Sequence, residues 1–499
     1  MRALPAPQPG PLDRALAWTL ALSALACLAY AVRYQYVCWT YPYTLIYNEI
    51  STLQHVLLER QGLDPWAADL HPWAVQIYGL VWPKLVALAC GLGLGCGLGL
   101  MRLLSSLCLA GSDLILYRAV RKAGSSPSLA LGWTALFHLG QLHFNGATAR
   151  ADNGAVLLYL LGWLLPWTAG YKPWSLLVGV VASVLAALTK PYLGLAGPLL
   201  VAGLALHRGF GPALTWGAAW ALGLAWSTAW VWARHDTYAY STVLWSIQAA
   251  THDPLWMLTQ LGWWGQWFVG PALLMLALAW RGPWRFDAGL LSPAVAAGTG
   301  LVLFVAALGW HIRTTLTYLH HLVSPGAIVL GAAASLPQAW RKRIAALALA
   351  AGLPLAAYAG VDRDLLRNLQ GYRAFWHAQE KLIEGKRQVL APAEWAPLLW
   401  ARGLPVHETG DTECGDLGPA PSLLKPLFPR QAELQARHHS FMEERYRQAA
   451  AGAFDLVICN DEDPELIRAL AKHYKRGDKL ATPWYFRAWP PEPTVWEKR

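Results

Sequence analysis

The chain has 499 residues, 55% of them hydrophobic and only 14% charged, with a mean hydropathy of +0.29, a balance far from that of a soluble globular domain. Its formal charge of +10 would suggest nucleic acid in a soluble protein, but the basic residues sit mainly in short loops between apolar runs, a topology signal rather than a nucleic-acid footprint. The runs are continuous, which excludes a closed barrel, and long enough for helices to cross about 30 Å of hydrocarbon. A polytopic α-helical membrane protein is the fold class they predict.

The first run, residues 14–34, reads as an uncleaved signal-anchor helix. Ala24-Leu25-Ala26-Cys27 loosely resembles a lipoprotein cleavage site but lacks the leucine three places before the cysteine. A loop from 35 to 97 follows and carries Glu49 within Tyr47-Asn48-Glu49. A carboxylate beside a bilayer is costly unless solvated or paired, so its default reading is a functional site, with a solvated loop acid as the alternative. Residues 75–96 are interrupted by Pro83 and Lys84 and are expected to lie at the interface or re-enter. Gly91, Gly95 and Gly99, spaced by four, are expected on one helical face as a small-residue packing stripe, since no Lys-Ser/Thr or GxGxxG makes a phosphate loop of them.

Further apolar runs lie near 98–119, 128–146, 154–170, 174–189, 191–207, 212–233, 256–280, 289–308, 317–337 and 343–360, giving about eleven spans with the first. With the N-terminus in the cytoplasm, the inward connections hold Arg118, Arg121, Lys122, Lys172, Arg208, Arg281, Arg285, Arg341, Lys342 and Arg343 and almost no acids. That is the positive-inside bias. The opposite side then receives Glu49, Arg150, Asp152, Lys190, His311, Arg313 and everything after residue 360. No Asn-x-Ser/Thr sequon occurs, which favours a bacterial plasma (inner) membrane. Several of the 29 tryptophans fall at span ends, where an indole suits the headgroup layer.

The tail is charged and alternates short strands and helices, long enough for one small extracytoplasmic α/β domain. Strands are expected at 388–391, 405–408 and 455–460, and helices at 392–402, 437–451 and 464–474. The domains are thus 1–361, within the membrane, and 362–499, soluble. The seven cysteines have no metal spacing; Cys27, Cys90, Cys96 and Cys108 fall in or beside apolar segments and carry no visible chemistry, and Cys414 and Cys459 are expected not to pair.

Glu49, Arg150, Asp152, Lys190 and Arg313 form one same-sided set of acids and bases. A carboxylate can take a proton from an attacking hydroxyl, and arginine and lysine can hold a departing phosphate. The bland alternatives are a boundary ion pair of Arg150 with Asp152 and a snorkelling Lys190. Glu49 and Asp152 also leave a divalent metal open as an alternative, with no cofactor otherwise indicated.

The stretch Tyr47-Asn48-Glu49 to Gly62, then Pro72 and Ile77-Tyr78-Gly79-Leu80-Val81-Trp82-Pro83, resembles the first extracytoplasmic loop of GT-C glycosyltransferases, of the protein mannosyltransferase and lipid A aminoarabinose transferase type of family 39. Arg102-Leu103-Leu104-Ser105, Ala149-Arg150-Ala151-Asp152, Lys190 and Tyr318-Leu319 before Pro325 extend the likeness over roughly residues 10–360, and the tail around Phe454-Asp455-Leu456-Val457-Ile458 is similar to that of bacterial members. The chain departs from the family in having Asn48-Glu49 for Asp-Glu or Gly-Glu, and His320-His321 where Asn-Tyr-type residues are common.

The resemblance implies inverting transfer of a sugar from a polyprenyl-phosphate donor to a glycan, lipid or protein acceptor outside the membrane. Glu49 and Asp152 would be the catalytic carboxylates, and Arg150, Lys190 and Arg313 would bind the donor phosphate. Tyr47, Asn48, Tyr78, Lys84, His311, Tyr318 and His320 would line the substrate. The rivals are a flippase or transporter for a lipid-linked saccharide, which would want an internal repeat and charges along a path, and an O-antigen-ligase-like transferase.

Overall fold

The computed structural model describes residues 10–45, 48–67, 79–143, 146–235, 237–239, 242, 261–262, 264–280, 288–309, 316–336, 338–392, 395–405, 407–408, 430–459, 464–480 and 494–499. Backbone in hydrocarbon must satisfy its polar groups within its own segment, so the apolar runs fold as helices. They are α1 (Pro11–Thr40), α4 (Leu98–Lys122), α5 (Pro127–His143), α6 (Asp152–Thr168), α7 (Pro173–Thr189), α8 (Ala196–Arg208), α9 (Phe210–Arg234), α10 (Gly270–Trp280), α11 (Leu291–Gly309), α12 (Leu316–Ala334) and α13 (Ala339–Gly360). Between α1 and α4 lie α2 (Asn48–Arg60) and α3 (Val81–Gly91). The protein is polytopic and largely α-helical. Among the described residues, Pro11–Thr40, Leu98–Lys122 and Ala339–Ile383 are long and apolar enough to cross a membrane.

Large apolar side chains point outward from these helices: Trp226 is 76% exposed and Trp280 91%. A soluble protein would put charges there; a bilayer supplies its own apolar cover. α9 buries only Ala213 and Val231 of its residues, which marks it as a peripheral, lipid-facing helix.

The glycines correct the packing expectation. α3 ends at Gly91, and Gly93 and Gly95 have φ of 83° and 81°, so they turn the chain into α4 instead of striping a helix. Gly99 packs against α1, with a Cβ there falling 2.8 Å from the Trp39 carbonyl oxygen, while Gly91 meets only the flexible end of Arg60 at 3.0 Å. The intimate small-residue contact is between α6 and α7: a Cβ on Gly162 would fall 2.6 Å from Ser183 Oγ, and one on Gly179 would fall 2.8 Å from the Gly162 carbonyl oxygen. Cysteine also does more than expected, because Cys90 and Cys96 form a disulfide across this turn. Cys459 is a buried thiol outside any disulfide among the described residues, and Cys414 lies outside them.

After α13 the Asp362 side chain caps α14 (Arg363–Ile383), accepting from the Leu365 amide at 3.0 Å. The tail then folds through β1 (Val389–Ala391), α15 (Ala396–Ala401), β2 (His407–Glu408), α16 (Gln431–Ala450), β3 (Leu456–Cys459), α17 (Pro464–Leu470), β4 (Tyr474–Lys479) and β5 (Thr494–Lys498). The sheet order is β2-β1-β3-β5-β4. β1 runs parallel to β2 and β3, while β5 is antiparallel to β3 and β4. β1 and β3 are buried throughout, as their apolar runs require, whereas β4 is an edge strand with all but Tyr474 exposed.

Candidate active site

Arg102 lies on α4, five residues into an apolar helix, and its side chain is fully buried. A guanidinium there needs a carboxylate, because an unpaired buried charge is strongly destabilising. Glu49 supplies it from the first turn of α2. Arg102 Nε donates to Glu49 Oε1 at 2.8 Å and Nη2 donates to Oε2 at 2.7 Å, a bidentate pair. The Leu45 amide donates to Oε2 at 2.8 Å and the Ala149 amide to Oε1 at 2.7 Å. Arg102 also donates to the carbonyls of Cys38, Tyr41 and Tyr43. Glu49 therefore has each oxygen accepting twice and no surface open to solvent. It ties the end of α1, the loop before α2, α4 and the 146–151 turn into one body.

The Ala149-Arg150-Ala151-Asp152 turn continues from that anchor into α6. Asp152 Oδ1 accepts from Lys190 Nζ at 2.6 Å, and Oδ2 lies 3.0 Å from Arg150 Nε. The second contact is an ion pair out of line for a hydrogen bond, so Oδ2 is left without a hydrogen-bond partner. The side chains are 2%, 4% and 14% exposed for Asp152, Lys190 and Arg150. Two cations thus share one carboxylate in a largely water-excluded place. Lys190 is held there because α7 ends at Thr189 and Pro191 starts a 3-10 turn (Pro191–Leu195). Beside it, the Tyr192 ring lies 4.3 Å from that of Tyr318, and the Tyr192 hydroxyl is 2.9 Å from His321 Nδ1. Lys190 Nζ lies 5.9 Å from the centre of the Tyr192 ring, so the Tyr192–His321 pair adjoins the charged cluster.

Glu49, Arg150, Asp152, Lys190 and Tyr318 are brought to one end of the bundle. Lys84 lies on α3, where it pairs with Glu59 of α2 at 2.7 Å with its side chain 39% exposed. His320 departs from expectation. It is fully buried, stacked on Phe137 at 5.3 Å and hydrogen-bonded to Ser324 at 2.8 Å, filling the space above Gly140. Its neighbour His321 faces the charged cluster instead. Tyr47, Tyr78, His311 and Arg313, and the side chain of Asn48, lie outside the described residues. Among the described residues no three His, Cys, Asp or Glu side chains form a metal-binding group. Glu49 and Asp152 each carry their own cations, a donor set that does not suit a divalent ion.

Two supports were not singled out from sequence. Asp64 accepts from the Trp66 amide at 3.0 Å and lies 2.9 Å from His235 Nδ1. Burial opposes its ionisation, yet those two partners hold its carboxyl below the ordinary range. The second support is the tail. Tyr43, in the loop below Glu49, stacks on Trp376 of α14 at 5.5 Å and donates to Glu380 Oε1 at 3.0 Å. Burial and that carboxylate push the Tyr43 hydroxyl up to about 12.

No family model matches the chain, and no curated protein matches it in sequence. The fold does have counterparts. Crystal structures of ArnT from Cupriavidus metallidurans match with TM-scores of 0.60, bound to undecaprenyl phosphate, and 0.59, in the apo state. Each is 13% identical and is matched over 95% of this chain and 97% of that one. The chain therefore shares the fold of these ArnT structures, with a small strand-containing C-terminal domain.

Proposed function

We propose that the protein is an inverting glycosyltransferase that moves a sugar from a polyprenyl-phosphate carrier to an acceptor hydroxyl at the outer face of a bacterial plasma membrane. The observation that carries this reading is the buried cluster in which Lys190 and Arg150 share the single carboxylate of Asp152. Two cations converge there in a place of low dielectric, where an anionic phosphate is the complementary ligand. The match to an ArnT structure bound to undecaprenyl phosphate supports the same ligand class. The Cys90–Cys96 disulfide supports the orientation, since disulfides persist on the oxidising side of the membrane.

In the reaction, the bond from the sugar's anomeric carbon to the phosphate oxygen breaks and a bond to the acceptor oxygen forms on the opposite face. Lys190 and Arg150 take the charge of the departing phosphate. As they turn to it, they release Asp152, whose basicity rises when its cations are shared. Asp152 Oδ2 then receives the acceptor's proton. Glu49, with every acceptor position filled, fixes the turn that carries Arg150 and Asp152 and is not the proton acceptor. Arg313 and the tyrosines of the first loop remain assigned to donor phosphate and substrate on the resemblance.

The test is product analysis on purified protein in proteoliposomes with a polyprenyl-phosphate sugar and an extract of envelope glycans as acceptor. Free polyprenyl phosphate together with a glycosylated acceptor is the expected result. Intact carrier delivered to the other leaflet would replace transfer by transport.

A further inference from the structure

At the opposite end of the bundle from Asp152, a cavity of about 1060 Å³ opens between α1, the α4–α5 turn and α13. That is slightly above the roughly 300–1,000 Å³ typical of ligand pockets. Its inner wall is apolar, built from side chains such as Ala17, Leu131 and Ala346. Its rim carries Asp13, Arg14, Lys342 and Arg343, with the Ser128 hydroxyl beside them.

The rim charges do not cancel. Arg343 Nε donates to Asp13 Oδ1 at 2.7 Å and Nη2 to Oδ2 at 3.2 Å, so this pair neutralises itself. Arg14 and Lys342 remain, and among the described residues neither has an ion-pair partner. Two positive charges therefore stand at the mouth of an apolar slot. Both helices that form its sides, α1 and α13, are of membrane-spanning length and apolarity. Trp18, 70% exposed at the same edge, is suited to the headgroup layer. This end also collects the basic inward connections, so it faces the leaflet richest in anionic lipid.

We propose that this cavity holds one anionic glycerophospholipid of the inner leaflet, its headgroup phosphate on Arg14 and Lys342 and its upper acyl chain against Ala17, Leu131 and Ala346. The shape and the charge belong together: a soluble anion would use the rim and leave the slot empty, and a zwitterionic lipid would fill the slot and leave the surplus charge unmatched. The bound lipid would bridge α1 to α13, the first and last helices of the bundle.

The experiment is native mass spectrometry of the full-length protein in detergent, titrated with phosphatidylglycerol or phosphatidylcholine. One phosphatidylglycerol is expected to stay bound to the wild type while phosphatidylcholine is lost. Each cation removed should weaken retention about fivefold, so Arg14→Gln with Lys342→Gln should weaken it about 25-fold. Ala346→Phe keeps both cations and fills the slot, and it too should release the lipid. Should the double variant fail to fold, Arg14→Gln alone, on an exposed side chain, carries the fivefold expectation. Equal retention of the two lipids, undiminished retention by Ala346→Phe, or displacement by millimolar inorganic phosphate would each overturn the proposal. The readout needs no sugar donor, so it stands or falls apart from the glycosyltransferase reading.

Discussion

Glu49 and Asp152 are both buried carboxylates held by cations at the same end of the bundle, and they differ in their stoichiometry. Glu49 faces one guanidinium and two amides, with every acceptor position filled. Asp152 faces two cations and keeps one oxygen without a hydrogen bond. A saturated pair holds structure; two cations converging on one carboxylate with an oxygen still open are suited to an anionic ligand. Burial and charge alone would have ranked the two sites alike, and what separates them is the count of donors to acceptors.

The largest effect should come from breaking the saturated pair. Glu49→Gln leaves Arg102 charged in a dry site and should destabilise the protein by roughly 3–5 kcal/mol, read as the melting temperature in detergent. Replacing both partners, Glu49→Gln with Arg102→Met, should recover much of that loss. If Glu49→Gln instead melts like wild type but loses transfer, Glu49 is catalytic and the contrast is gone.

Removing the disulfide comes next. Cys90→Ser should cost about 2 kcal/mol, since the bond closes only a short loop, and maleimide should label Cys90 and Cys96 in the wild type only after reduction. Tyr43→Phe removes the hydrogen bond to Glu380 and should loosen the tail from the first loop by about 1 kcal/mol, read as faster proteolysis between α13 and α14. The smallest effect is pH-dependent. Amides of Arg387 and Gln388 hold the Asp455 carboxyl below its ordinary 3.8. Its folded value lies under its unfolded one, so its contribution is present at neutral pH and fades as pH falls below about 4. Asp455→Asn should flatten that part of the acid unfolding curve.

Much of this architecture is legible from the residues. The apolar runs place the helices because hydrocarbon leaves the backbone no other choice, and the buried runs at 388–391 and 455–460 place β1 and β3. β4 and β5 escape notice, because Lys475, Arg476, Gly477, Asp478 and Lys479 form an exposed edge with no apolar alternation. Gly91, Gly95 and Gly99 show the limit of spacing as evidence: a period of four says nothing about whether a helix continues, and here it stops. Arg102 stands in an apolar run, which signals that a carboxylate must meet it, but that the carboxylate is Glu49 depends on how α2 packs against α4. Tyr192 and His321 carried no such signal, since their meeting depends on how α12 packs against the turn after α7.

Whether the cations gathered at Asp152 hold the donor phosphate is tested most directly by Lys190→Gln. The substitution leaves Asp152 paired with Arg150, so the fold should survive. The measurement is the Kd for undecaprenyl phosphate, alongside the melting temperature. About 100-fold weaker binding is expected, in line with losing a buried charge contact worth roughly 2–5 kcal/mol, at a near-wild-type melting temperature. Unchanged affinity in a folded Lys190→Gln protein would contradict it.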